Sequence, residues 1–336
     1  MVGLRCRCEK VIVILLDARD PQACRAVDLE AALVESETPT VFALSKSDLV
    51  PRSVTHGWLT YFRSQGFPAL ALTAAPGGDM LVANSNSVGP LVDLVRLIGG
   101  KKDLPLRVGI VGFDGVGKRS LLRTLHMARV VGTSGGKEDV SFLPRAARLQ
   151  PMGTAASLND VLLRRASAEQ LPQPQALVAE LLQRMERNCL LRRLAIADFA
   201  DECDFFEKVL ASEHSTRLLQ LSPRASPRHV AVAFLRSLGR GDFSFYATPF
   251  HIETGQGSTN NVEEEVLTLL KNADGLAPSL VQKCEEVLCM SAGEPDQIDL
   301  DEAWGEVGDD DDDEEEEEEL DEEDGDEEEE EEEEGG

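Results

Sequence analysis

The sequence predicts a doubly wound α/β domain with a mostly parallel sheet, followed by a small helical domain and a disordered acidic tail. Three observations support this fold class. Short apolar runs alternate with helix-like stripes in the first part of the chain. A glycine-rich loop follows the fourth apolar run and opens a helix. The last residues are almost uniformly acidic.

The predicted strands are short and β-branched, as buried parallel strands are. They cover residues 11–16, 40–44, 68–72 and 107–111. Helices are predicted between them at residues 23–35, around Trp58, Tyr61 and Phe62, at 91–98 and at 121–127. Residues 133–151 contain no clear strand of four or more consecutive apolar residues. From residue 175 the apolar spacing is helical throughout, and these stripes indicate core.

The charge of the chain is concentrated at one end. The net charge is -29, and 30 of the 62 acidic residues lie in residues 294–336, which contain no Lys or Arg. The remaining 32 acidic residues are balanced by 33 basic ones. Residues 309–334 are acidic at every position except Leu320 and Gly325, and such a run repels itself and is expected to be disordered. The tail is either a mimic of nucleic acid for basic proteins or a solubiliser.

Cysteine content and hydropathy predict an intracellular protein without a membrane span. The seven cysteines are scattered and show no paired spacing, which indicates reduced thiols. The longest apolar run, residues 11–16, is too short to cross a bilayer. We therefore expect no membrane partner.

The segment GFDGVGKRS, residues 112–120, resembles a phosphate-binding P-loop with one residue changed. In G-x-x-x-x-G-K-[ST], backbone amides cradle phosphates, the Lys neutralises charge, and the final hydroxyl holds Mg²⁺. Arg119 occupies the hydroxyl position, and Ser120 comes one residue late. The candidate nucleotide-binding residues of this loop are Gly112, Asp114, Gly115, Val116, Gly117, Lys118, Arg119 and Ser120.

Two further strand ends suggest a site that reads guanine. Ser45-Lys46-Ser47-Asp48 resembles the N/T-K-x-D motif, whose Asp accepts hydrogen bonds from the ring N–H and the amine of guanine. Thr73-Ala74 fits a second base-contacting loop. We predict that Ser45, Lys46, Asp48, Thr73 and Ala74 contact the base. GTP or GDP is then the expected cofactor.

The base loops precede the P-loop, which is the reverse of the order in ordinary GTPases. With LLDARDP at residues 15–21, this order is typical of circularly permuted GTPases. The residues that resemble nucleostemin and its nucleolar relatives, in collinear order, are 13–21, 45–51 with 58–59, 107–125, 196–199 with 205–206, and 239–249. The resemblance implies a circularly permuted G-domain at residues 1–165, a helical domain at 166–290 and the tail at 291–336.

The resemblance also implies a function and a location. It predicts a guanine-nucleotide-binding factor of the nucleus and nucleolus that acts in biogenesis of the large ribosomal subunit. The expected partners are preribosomal large-subunit particles and basic ribosomal or nucleolar proteins. Direct RNA binding has little support, because only Arg5, Arg7 and Lys10 precede the first strand.

The departures from the family concern Mg²⁺ and hydrolysis. Arg119 removes one ligand, GGKE at residues 135–138 replaces the switch I threonine motif, and only Gly153 remains of the switch II motif near residues 149–154. Because phosphoryl transfer needs a metal that neutralises charge, we expect weak or absent hydrolysis and little contribution from Mg²⁺. Arg119 is either solvated or a partial replacement for the metal.

Two alternatives remain open at this point. One is an active GTPase with divergent switches. The other is an acidic chaperone for ribosomal proteins or histones that keeps the fold as a scaffold. Nucleotide binding separates the chaperone from the rest, and metal-dependent turnover separates an active GTPase from a degenerate one.

Overall fold

The computed structural model describes residues 10–72, 85–100, 106–130, 140–142, 147–149, 157–163, 166–250, 264–276 and 288–295. The chain divides into two compact units, Met1–Trp304 and Gly305–Gly336, and all the described residues belong to the first. The acidic run at residues 309–334 lies outside the described residues.

The first half of the chain forms a parallel sheet. Its strands are β1 (Lys10–Asp17), β2 (Thr40–Ser45), β3 (Ala69–Ala71), β4 (Leu106–Phe113), β5 (Val140–Phe142) and β6 (Ala147–Leu149). The strand order is β3-β2-β1-β4-β5, and β6 also pairs with β4. Every pair in this sheet is parallel. The predicted α/β class with a parallel sheet is confirmed.

Strands β5 and β6 share one edge of β4. β5 pairs with the start of β4, from Leu106 to Val108, and β6 pairs with its end, from Val111 to Phe113. Each of the two strands is only three residues long. Neither strand was predicted, because residues 133–151 contain no run of four or more consecutive apolar residues.

Four helices connect the strands, namely α1 (Val27–Glu35), α2 (Arg52–Ser64), α3 (Ser85–Gly99) and α4 (Lys118–Val130). The helix predicted at residues 23–35 is interrupted. A short 3-10 turn at Gln22–Cys24 ends at Arg25, whose backbone is extended, before α1 begins. The helix predicted around Trp58, Tyr61 and Phe62 is α2. Trp58 and Phe62 are buried in it, while Tyr61 is half-buried.

The second half is mainly helical, as its spacing predicts. Its helices are α5 (Leu158–Leu162), α6 (Pro174–Arg184), α7 (Arg187–Leu194), α8 (Glu202–Ala211), α9 (Glu213–Leu218), α10 (Pro227–Arg240) and α11 (Glu264–Leu276). Helix α10 is central, since it contacts α5, α6 and α8. The ring of Phe234 in α10 meets the rings of Phe205 and Phe243 at centroid distances of 5.8 and 6.0 Å.

A two-stranded parallel sheet was not predicted in this half. It consists of β7 (Phe245–Thr248) and β8 (Leu288–Ser291). The sheet lies against the first half, because the indole Nε1 of Trp58 donates to the carbonyl of Ala247 at 2.9 Å. The division of the chain at residues 165 and 290 stays a prediction.

Candidate nucleotide site

The topology of the sheet creates a crevice between β1 and β4. From β1 the chain moves outward through β2 and β3 on one side, and β4 and β5 lie on the other. In open parallel sheets, ligands bind at the carboxyl ends of the strands where the order reverses in this way. The loops after β1, β2 and β4 meet at this place, and they carry most of the predicted site residues.

The loop after β4 has the backbone of an anion-binding nest. Gly115 and Gly117 have positive φ angles of 77° and 96°, which favour glycine. Gly112 is needed for a different reason: a Cβ there would lie 2.7 Å from the carbonyl oxygen of Leu15 in β1. The loop ends at Lys118, where α4 begins and its first amides are available to an anion.

The side chain of Lys118 folds back and binds the backbone of the start of its own loop. Its Nζ donates to the carbonyl oxygens of Gly112 and Phe113 at 2.7 and 2.8 Å. The same ammonium lies 3.5 Å from the carboxylate of Asp114, which is partly exposed. The lysine is thus fixed at the mouth of the nest, where it adds positive charge to the helix N-terminus.

The two residues after the lysine differ in exposure. Arg119 is exposed and Ser120 is half-buried, and both lie in the first turn of α4. Val116 is fully buried. The position of the usual Mg²⁺-binding hydroxyl is therefore occupied by a long, solvent-exposed cation.

The base loop after β2 is tied directly to the P-loop. The Ser45 hydroxyl lies 3.0 Å from the carbonyl of Leu16 and 2.7 Å from that of Val116, and is oriented to donate to either. Lys46 adopts the left-handed conformation, and its Nζ donates to the carbonyl of Gly115 at 2.6 Å. Ser45 and Lys46 thus hold the base loop and the phosphate loop in one fixed arrangement.

Asp48 has an acceptor atom without a partner. Its Oδ1 is buried and accepts no hydrogen bond from any residue that the structure describes. It lies in a short 3-10 turn, Ser47–Leu49, which the Ser47 hydroxyl anchors by donating to the carbonyl of Leu72 at 2.8 Å. A buried acceptor without a donor is costly, so this oxygen fits a ligand that supplies an N–H group. Thr73 and Ala74, the other predicted base contacts, lie outside the described residues.

Three charged side chains at the end of β1 and just after it received no predicted role, and the structure buries all of them. Asp17, Arg19 and Asp20 are 0%, 2% and 2% exposed. Charged residues are rarely buried so completely unless they are paired. The signal available in the sequence was their position directly after a buried strand, within the segment LLDARDP.

Asp17 connects this segment to the base loop. Its Oδ2 accepts from the Lys46 Nζ at 2.7 Å, and Arg19 makes two side-chain hydrogen bonds to the same carboxylate, at 3.0 and 2.8 Å. Burial raises the pKa of Asp17, but the charges of Arg19 and Lys46 outweigh burial and hold the pKa well below its usual range. Asp17 is therefore a buried carboxylate kept in its charged form.

The predicted departures at the switches fall largely outside the described residues. This applies to Glu138 and to residues 150–154, while Leu149 lies in β6 and is buried. Within the described ranges, no group of three or more His, Cys, Asp or Glu side chains forms a metal site. No helix in the same ranges is long and apolar enough to cross a membrane.

The chain is similar in sequence to known proteins over much of its length. No family model matches it. It is 28% identical over 256 residues to Nucleolar GTP-binding protein 2 from Yarrowia lipolytica, covering 71% of this chain and 48% of that protein. It is 29% identical over 271 residues to Nuclear/nucleolar GTPase 2 from Oryza sativa subsp. indica, covering 76% and 48%. A crystal structure of GNP-bound YlqF from T. maritima covers 72% of this chain and 94% of that one, with 18% identity and a TM-score of 0.49.

These comparisons bear on family and location. The chain spans about half the length of the curated relatives it matches. The names of both relatives support the predicted location in the nucleus and nucleolus. The resemblance read from the motifs is confirmed at the level of sequence: the chain is similar to a nucleolar GTP-binding protein and to a nuclear/nucleolar GTPase.

Proposed function

We propose that this chain binds GTP or GDP in the crevice between β1 and β4. The observation that carries the proposal is Oδ1 of Asp48, which is buried and has no hydrogen-bond partner among the described residues. It lies near a loop whose backbone forms a nest for phosphates. The names of the two relatives, a GTP-binding protein and a GTPase, support the same ligand. The residues present therefore fit a guanine nucleotide.

The base would be recognised through its donor pattern. The Asp48 carboxylate accepts two N–H donors on one edge of guanine, whereas adenine lacks that donor pair. Lys46 keeps the base loop at a fixed distance from the phosphate loop through its bond to Gly115. The nest around Gly115 and Gly117, together with Lys118, would hold the phosphates.

We further propose that hydrolysis is weak or absent. Arg119 replaces the hydroxyl that normally helps to hold Mg²⁺, and the sequence at residues 135–138 and 149–154 lacks the usual switch ligands. Positioning and charge neutralisation by metal supply most of the rate in phosphoryl transfer. Binding without efficient turnover makes the chain a nucleotide-dependent binding factor rather than an efficient enzyme.

The cellular role proposed here is assembly of the large ribosomal subunit in the nucleolus. The support is the family resemblance, together with an acidic run at residues 309–334 that complements basic ribosomal or nucleolar proteins. Sucrose-gradient sedimentation of a tagged protein from nucleolar extract tests this role. Migration with large-subunit precursors supports it, and presence in the light fractions alone contradicts it.

Base recognition is tested with Asp48→Asn. In the wild-type chain, GTP and GDP should displace a fluorescent GDP far better than ATP does. Asp48→Asn should weaken GDP and gain affinity for xanthosine diphosphate, because an amide donates to the carbonyl that replaces the guanine amine. A gain of binding cannot result from misfolding.

The matched control is Asp93→Asn on α3, where the carboxylate is exposed and the same charge is lost. Equal displacement by ATP and GTP, or no change of preference in Asp48→Asn, contradicts the assignment.

Hydrolysis is tested by single-turnover assays of GTP with Mg²⁺ and with chelator. The expected rate is close to that without protein under both conditions. Arg119→Ser should not restore turnover, because the switch II aspartate would still be missing from the sequence. Metal-dependent turnover well above background in the wild-type chain contradicts this part of the proposal.

A further inference from the structure

Residues 17–21, at the end of β1 and just after it, join two parts of the molecule that are distant in sequence. Three of the five side chains are charged and buried. Asp17 pairs with Lys46 of the base loop, Asp20 pairs with Arg184 of α6, and Arg19 pairs with Asp17 within the segment. The proposed nucleotide contacts do not use any of the three. Their pairing therefore needs a separate explanation.

One end of the segment is bound to the nucleotide site. Asp17 holds the Lys46 ammonium, and that same ammonium donates to the carbonyl of Gly115 in the P-loop. The Lys46 ammonium thus has two hydrogen-bond acceptors, the Gly115 carbonyl and the Asp17 carboxylate, and only Asp17 is charged. Because the lysine is only 24% exposed at its side chain, its loss of solvation is offset mainly by this carboxylate.

The other end is bound to the C-terminal sheet and to α6. The carbonyl of Arg19 accepts from the Ala247 amide in β7 at 2.7 Å. The carboxylate of Asp20 accepts from Arg184 of α6 at 2.6 Å and from the Gly293 amide, just after β8, at 2.9 Å. Residues 17–21 therefore contact β7, the end of β8 and the end of α6.

Arg19 connects the two ends. Its guanidinium donates to Asp17 and lies over the ring of Phe245 in β7, 5.1 Å from the ring centroid. The ring limits where the guanidinium can lie, and the guanidinium fixes the Asp17 carboxylate that anchors Lys46. The contacts form a continuous path from β7 to the P-loop.

Resting on the proposed nucleotide binding, we propose that Asp17 and Arg19 are positioning residues through which the β7–β8 sheet sets the affinity for guanine nucleotide. The coupling is reciprocal, so bound nucleotide also strengthens the attachment of β7. Phe245 is the residue at the sheet end of this path. Its ring touches neither the base loop nor the P-loop in the contacts described above.

The test compares Phe245→Leu with Phe243→Leu in fluorescent GDP titrations of the full chain. Phe243 is an equally buried ring, 5.2 Å from the guanidinium of Arg193, which is not bonded to Asp17. Both variants should lose similar stability. Only Phe245→Leu should raise the Kd for GDP, within the range of about 5- to 150-fold that is typical of coupled sites. Equal Kd values for the two variants would overturn the proposal.

A double-mutant cycle adds a readout that a purely structural role would not change. Asp17→Asn should raise the Kd for GDP, and Phe245→Leu should have little further effect once Asp17 is changed. Additive effects of the two substitutions on Kd would overturn the path through Arg19.

A nucleotide-free measurement separates this inference from the proposed function. Hydrogen exchange should be faster at residues 245–248 in Asp17→Asn than in the wild-type chain, with α8 as the internal reference. If the wild-type chain binds no GDP, the proposed function fails, and this exchange experiment alone decides whether Asp17 holds the sheet. Unchanged exchange at residues 245–248 would overturn the link.

Discussion

Gly112→Ala tests whether the P-loop has the close backbone approach seen in the structure. The added Cβ would lie 2.7 Å from the carbonyl oxygen of Leu15 and 3.1 Å from Cγ2 of Val116. The carbonyl belongs to β1, which is paired on both sides and has little freedom to move. Overpacking of this kind costs about 1–3 kcal/mol, and the backbone contact favours the upper part of that range.

The matched control is Gly89→Ala in α3. Beyond its two chain neighbours and the backbone of the helix itself, no atom lies within 4 Å of a Cβ built there. The gain of about 0.8–1 kcal/mol in helix propensity from Gly to Ala is opposed by contact of the new Cβ with the ring of Pro90, so the net change should stay within about 1 kcal/mol. Urea unfolding with an unchanged m-value measures both variants. Gly112→Ala should lose clearly more unfolding free energy than Gly89→Ala. A Gly112→Ala protein as stable as the wild-type chain would refute the geometry of this loop.

Three further predictions follow from buried contacts and from charge. The Asp17 pKa is depressed in the folded state, so its stabilising contribution is complete above its unfolded pKa and is lost as pH falls. The difference in unfolding free energy between wild type and Asp17→Asn should therefore shrink below about pH 4. Urea titrations at several pH values measure this difference, and a difference that stays constant with pH contradicts the prediction. Trp58→Phe leaves the Ala247 carbonyl without its donor and should cost about 1–3 kcal/mol in the same assay; an unchanged midpoint argues against that bond. Removal of residues 309–334 should leave thermal unfolding intact but weaken capture of a basic protein at low salt; a truncated chain that unfolds contradicts it.

The sequence was informative where a local pattern determines the structure. Continuous β-branched runs predicted β1, β2 and β4, because a strand buried on both faces needs apolar residues at every position. The P-loop glycines were predicted for similar reasons, since positive φ and close approach both exclude a side chain. The order of the motifs then indicated the permuted arrangement of the domain.

The β7–β8 sheet was not predictable in this way. Its strands are four residues each and lie about 40 positions apart in sequence, so their pairing depends on tertiary contacts rather than on local periodicity. The burial of Arg19 and Asp20 was missed for the same reason. Three of their partners, Phe245, Arg184 and Gly293, come from the second half of the chain.

The central claim is that this chain binds a guanine nucleotide in a site that does not depend on Mg²⁺. The most direct measurement is an equilibrium titration of the full chain with a fluorescent GDP, carried out once with Mg²⁺ and once with chelator. The account predicts saturable binding with nearly equal Kd values under the two conditions, because backbone amides and Lys118 supply the phosphate contacts. Absence of saturable binding, or binding that appears only with Mg²⁺, would contradict it.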